Sequence, residues 1–159
     1  MSCLLAINVE AIDHLRSPQE TSDKESVNAF KEPLVILDQQ LFEEIVAGPE
    51  ETKVKDDQIW FIFFDSPHCK KCHQVLDVWE DLANHHMLDY NIHIAYMFCP
   101  RSYDICQRLG VKGYPTLSVL DDHFVYDYGG KGKLSVKDLT NFVKEKKYLE
   151  LSKPRHIMH

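Results

Sequence analysis

The chain has 159 residues, 44% of them hydrophobic and 27% charged, which suits one globular domain with a buried core. Its formal net charge of -7 argues against a nucleic-acid binder, because phosphate contacts need a basic surface. No apolar run approaches the roughly 18 residues a membrane helix needs.

Met1 to Ile7 has a short apolar stretch but no basic flank, so it reads as a poor secretory signal. Residues 1–32 are polar, and Ser17 to Glu32 carries little periodicity. They are expected to form a flexible arm, with room for one short helix near Val9 to Leu15. The folded unit is expected over 33–148. Leu34 to Leu37 reads as a short strand. Asp38 then caps a helix through Ala47, stopped by Gly48-Pro49. Glu50 to Asp57 is a charged connection. Ile59 to Phe64 is apolar throughout, as befits a central strand covered on both faces. A loop through Ser66-Pro67-His68 leads into a helix starting near Cys69. Val75, Leu76, Val78, Trp79, Leu82 and Ala83 form its apolar stripe, with Trp79 as a core anchor.

Ile92 to Phe98 is the next strand. A short helix from Asp104 to Leu109 ends at Gly110, a favourable C-terminal residue. Thr116 to Leu120 and Phe124 to Tyr128 read as a hairpin turning at Asp121-Asp122. Ser135 and Asp138 have the spacing of a capping box for a last helix reaching about Lys147, with Leu139, Phe142 and Val143 inward. Residues 149–159 read as a polar tail. Strand–helix alternation closed by a hairpin predicts an α/β fold: a central mixed sheet with helices on both faces.

Five cysteines carry the chemistry. Cys69-Lys70-Lys71-Cys72 follows a buried strand and opens a helix. A helix N-terminus offers unpaired N–H groups and the positive end of the dipole. Both stabilise a thiolate, the species that attacks a disulfide. A second cysteine one turn later can attack the resulting mixed disulfide and release the partner. Cys3 has no evident partner.

Phe64-Asp65-Ser66-Pro67-His68-Cys69-Lys70-Lys71-Cys72-His73 resembles the active-site segment of the catalytic domains of protein disulfide isomerases. Gly110-Val111-Lys112-Gly113-Tyr114-Pro115-Thr116-Leu117 resembles that family's cis-proline segment. The resemblance covers roughly residues 34–147. It implies a thioredoxin fold, Cys69 as nucleophile, Cys72 as resolving cysteine, and Pro115 as a cis-proline facing the pair. Tyr114 and Pro115 would then line the site for an extended substrate segment. Some members also carry a structural disulfide where Cys99 and Cys106 stand, and such a bond persists only in an oxidising compartment. The alternative is two reduced core cysteines.

The chain departs from the family at four places. His68 replaces the usual tryptophan, and Lys70 and Lys71 replace glycine with histidine or proline. Phe63 replaces the buried acid that helps move a proton to and from the second cysteine. Asp77 replaces the helix-kinking proline. The lysines, and His68 when protonated, would lower the thiol pKa and make the pair oxidising. A solvated helix start explains Lys70 and Lys71 equally well. Asp65 lies two residues from Phe63 and shares its face if both belong to the strand.

The expected function is a thiol–disulfide oxidoreductase or isomerase acting on protein cysteines, in the endoplasmic reticulum lumen or outside the cell. Glutathione is a candidate small partner. The C-terminal residues lack a Lys-Asp-Glu-Leu-type signal. No cofactor is implied, since the cysteine pair is itself the redox group. The main rival is a non-catalytic thioredoxin-like binding module. Haem attachment through Cys-x-x-Cys-His is disfavoured by the strand-rich pattern. Zinc held by His68, Cys69, Cys72 and His73 is disfavoured by their crowding on one helical turn.

Overall fold

The computed structural model describes residues 34–45, 57–85, 87–131 and 133–157. The N-terminal arm, Cys3, the expected helix stop at Gly48-Pro49 and most of the charged connection lie outside them.

In chain order the elements are β1 (Leu34–Ile36), α1 (Gln39–Ile45), β2 (Ile59–Asp65), α2 (Lys70–Ala83), β3 (Ile92–Phe98), α3 (Tyr103–Arg108), β4 (Thr116–Asp121), β5 (Phe124–Asp127), α4 (Val136–Lys144), α5 (Tyr148–Leu151) and β6 (Arg155–His156). The six strands form one sheet in the order β1-β3-β2-β4-β5-β6. β1, β3 and β2 run parallel, and β4, β5 and β6 continue antiparallel. This is the mixed sheet expected from the sequence.

The apolar run of β2 has a simple cause. Ile59, Phe61 and Phe63 pack on one face with Trp79 of α2 and Phe142 of α4. Trp60, Ile62 and Phe64 pack on the other with Phe42 of α1 and Ile105 of α3. A strand covered on both sides has no polar face to offer. Trp79 is fully buried, edge-on to Phe61 at 4.7 Å, and its Nε1–H donates to the Ala95 carbonyl at 2.8 Å. An indole buried this deeply needs such an acceptor.

Local signals act as their chemistry dictates. Asp38 Oδ1 accepts from the Leu41 N–H at 2.8 Å, and Ser135 Oγ accepts from the Asp138 N–H at 3.1 Å. Gly110 takes φ +73° after α3, where a Cβ would stand 3.0 Å from the Arg155 guanidinium.

Three expectations are corrected. The hairpin turns at Asp122-His123, one residue later than expected, with Asp122 at φ 56°. The last long helix ends at Lys144 rather than Lys147, because Lys146 turns into the left-handed region at φ 51°. That turn drives Tyr148 inward, where it is fully buried and its hydroxyl donates to Asp121 at 2.6 Å. The expected polar tail, 149–159, is also structured over its described part, residues 149–157. α5 extends to Leu151, and β6 pairs Arg155 with Val125 and His156 with Phe124. Arg155 also reaches both carboxylate oxygens of Asp127 and the Leu109 carbonyl. A two-residue strand held by one arginine leaves no periodicity to read.

Candidate active site

β2 runs through the core and ends at Asp65. The chain then turns through Ser66, Pro67 and His68 into α2. His68 takes φ 65°, which histidine visits more readily than most residues. Cys69 is the N-terminal cap of α2, in extended backbone at φ -79°, ψ 92°. Its Sγ accepts from the Cys72 N–H at 3.2 Å. The first cysteine therefore sits where helix N–H groups are unpaired and the dipole is positive.

The two cysteines differ in access. Cys69 is half-buried, whereas Cys72 is 2% exposed and packs among Phe63, Val75 and Trp79. Their sulfurs are bonded at 2.16 Å. In this form the reachable sulfur is that of Cys69, and breaking the bond would release a thiolate facing the Cys72 N–H.

Lys70 and Lys71 project from the first turn of α2 and are exposed, as are His68 and His73. Charges in that setting act through solvent and are strongly screened. Neither histidine joins the ligand-type atoms near the pair. Among the described residues those atoms are one oxygen of Asp65 and the sulfurs of Cys69 and Cys72, all within 4.8 Å of one another. With both sulfurs bonded to each other, this set is not a ligand shell.

Asp65 is half-buried and held at both oxygens. Oδ1 accepts from the Ser66 N–H at 2.7 Å, and Oδ2 accepts from the Tyr96 hydroxyl at 2.9 Å. Burial, then that bond and the carboxylate's charge, push the Tyr96 pKa up to about 12, against a smaller opposing effect of Arg101. Tyr96 was invisible to motif reading. Its signal lies in the register, since Phe63 on β2 pairs with Tyr96 on β3.

The Tyr114–Pro115 peptide is cis, Tyr114 is exposed and Pro115 is half-buried. Phe64 pairs with Thr116 at the last rung between β2 and β4. Continuing that register sets Pro115 opposite Asp65, at the end of the sheet where α2 begins. Cys99 and Cys106 are buried and bonded at 2.07 Å. They belong to the core layer on the other face of the sheet from Cys72.

The family model described as Thioredoxin matches residues 33–145. The chain belongs to the thioredoxin family. Among curated proteins it is 33% identical over 117 residues to protein disulfide isomerase-like 5-1 of Oryza sativa subsp. japonica, covering 70% of this chain and 78% of that one. It is 33% identical over 112 residues to protein disulfide-isomerase 5-1 of Arabidopsis thaliana, covering 64% and 72%. Among solved structures, the first thioredoxin domain of mouse protein disulfide-isomerase A4 aligns with a TM-score of 0.58 at 23% identity, over 72% of this chain and 75% of that one. The J-Trx1 fragment of ERdj5 aligns with a TM-score of 0.57 at 23% identity, over 72% of this chain and 51% of that one. These two structures support the thioredoxin fold. The curated relatives are isomerase-like by name.

Proposed function

We propose that this chain is a thiol–disulfide oxidoreductase or isomerase acting on protein cysteines. The observation that carries the reading is the asymmetry of the pair: Cys69 caps a helix and is reachable, while Cys72 is buried one turn behind it. In the reduced protein the Cys69 thiolate attacks a client disulfide. A Cys69–client bond forms, and one client sulfur leaves as a thiolate. Cys72 then attacks Cys69 Sγ, the client's second sulfur leaves, and the Cys69–Cys72 bond forms. Two electrons pass to the client. The reverse sequence oxidises a client dithiol. In this reading Tyr114 and Pro115 line the groove for an extended client segment, and glutathione is a small thiol partner. Lys70, Lys71 and His68 bias the pair toward the oxidising side. Cys99–Cys106 braces the opposite face. A stable structural bond fits the endoplasmic reticulum lumen or the cell exterior.

One observation favours a binding module instead. Phe63 is fully buried between Trp79 and Tyr96, at 5.9 and 5.6 Å, so no carboxylate stands at that strand position. Insulin reduction by dithiothreitol decides between the two readings. Turnover well above a Cys69→Ser control supports the oxidoreductase. A wild-type rate equal to that control refutes it and leaves the binding module.

A further inference from the structure

We infer that Asp65 carries the proton for the cysteine pair and that Tyr96 is its positioning residue. The inference deepens the oxidoreductase reading and rests on it. Three observations support it.

The first is the strand. β2 alternates, so Phe61, Phe63 and Asp65 point to the face covered by α2. Phe63 is fully buried, and Asp65, the next position on that face, is the first to escape full burial. The second is distance. A carboxylate oxygen of Asp65 and both sulfurs lie within 4.8 Å of one another. One bridging water spans such a gap, which is the outer reach of a general base. The third is aim. Ser66 N–H holds one oxygen and Tyr96 hydroxyl the other. Tyr96 is fixed in turn by the edge of the Phe63 ring at 5.6 Å, so the residue that displaced the usual acid orients its substitute.

The groups facing Asp65 are Tyr96 from β3, Cys69 and Cys72 from α2, and Arg101 through its effect on Tyr96. Tyr96 keeps its proton through the working range and remains a donor. When a client is bound to Cys69, the Cys72 thiol gives its proton to Asp65. The Cys72 thiolate then forms the Cys69–Cys72 bond, and the client sulfur leaves and takes up a proton. The same carboxylate is a like charge beside the thiolates and opposes Lys70 and Lys71.

The test isolates the resolving step. In a Cys3→Ser background with Cys99–Cys106 intact, the reduced pair is mixed with Ellman's reagent. The first release of thionitrobenzoate labels Cys69, and the second reports attack by Cys72. Asp65→Asn is expected to slow the second phase at least about tenfold at pH 7. The deficit should close as pH rises, because Cys72 then ionises unaided. Tyr96→Phe should slow it less and shift the same profile. A second phase in Asp65→Asn that superimposes on wild type at every pH overturns the proposal. If Asp65→Asn does not fold, Tyr96→Phe decides, since it leaves the carboxylate and removes only its donor. Superposition there overturns the proposal as well. A wild-type protein that never shows the second phase defeats the oxidoreductase reading itself, a result distinct from both.

Discussion

His93 makes the stability of this domain depend on pH in a calculable way. It is 7% exposed, stacked on Trp60 at 4.3 Å, and its Nε2 lies 2.8 Å from Gln58 Oε1. An amide oxygen can only accept, so Nε2 carries the proton of the neutral ring. Nδ1 is buried with no partner among the described residues. Protonating it would place an N–H and a charge in the interior with no acceptor, and burial accordingly lowers the His93 pKa below 6.5. Because the folded pKa is depressed, the unfolded chain binds more protons as pH falls through 6.5. Stability is fully present above 6.5 and is lost below it, until pH passes the folded pKa. The slope approaches about 1.4 kcal/mol per pH unit in that window. Urea unfolding of the oxidised protein at pH 7.5, 6.5 and 5.5 measures it. His93→Phe keeps a ring on Trp60 and removes the titration. The wild type should lose up to about 1 kcal/mol more than this variant between pH 6.5 and 5.5. Parallel losses in the two proteins would refute the argument. His93 pairs with Trp60 near the start of β2, far along the strand from Cys69, so the effect should leave the cysteine chemistry alone.

Other consequences follow from single contacts. Trp79→Phe keeps an aromatic ring but removes the indole N–H donated to the Ala95 carbonyl and part of a fully buried side chain, and should cost about 1–3 kcal/mol by urea unfolding. Replacing Cys99 and Cys106 together by alanine removes a short covalent loop and should cost about 2–3 kcal/mol, with the Cys69–Cys72 potential unchanged by glutathione titration. Replacing Lys70 and Lys71 together by alanine should remove a small, solvent-screened stabilisation of the Cys69 thiolate. That makes the pair less oxidising by less than about 30 mV. A larger shift would mean the exposed lysines are not screened as argued.

The sequence reveals what repeats or punctuates. Both faces of β2 are full, so its run is uniformly apolar. α2 packs one stripe, so Trp79 and Leu82 stand out. The cysteine pair is legible because its spacing and its place after a buried strand are local. Tyr96 is not, because its importance arises only when β3 lies beside β2 and its hydroxyl meets Asp65. Arg155 is hidden for the same reason: its partners Asp127 and Leu109 are 28 and 46 residues away. The end of α4 is not legible because Lys144 to Lys147 has good helical composition, while the folded chain turns at Lys146 and buries Tyr148.

The short pairing of β6 on β5 sets where this domain can be cut. A truncation after 148 would remove the Arg155 clamp and expose the hydrogen-bonding edge of β5 beside the ring of Phe124. Exposed strand edges are templates for pairing with other chains. A shortened version ending there should self-associate during refolding, while one kept through Ile157 should stay monodisperse. The practical C-terminal boundary of the folded unit therefore lies past β6, not at the end of the last long helix.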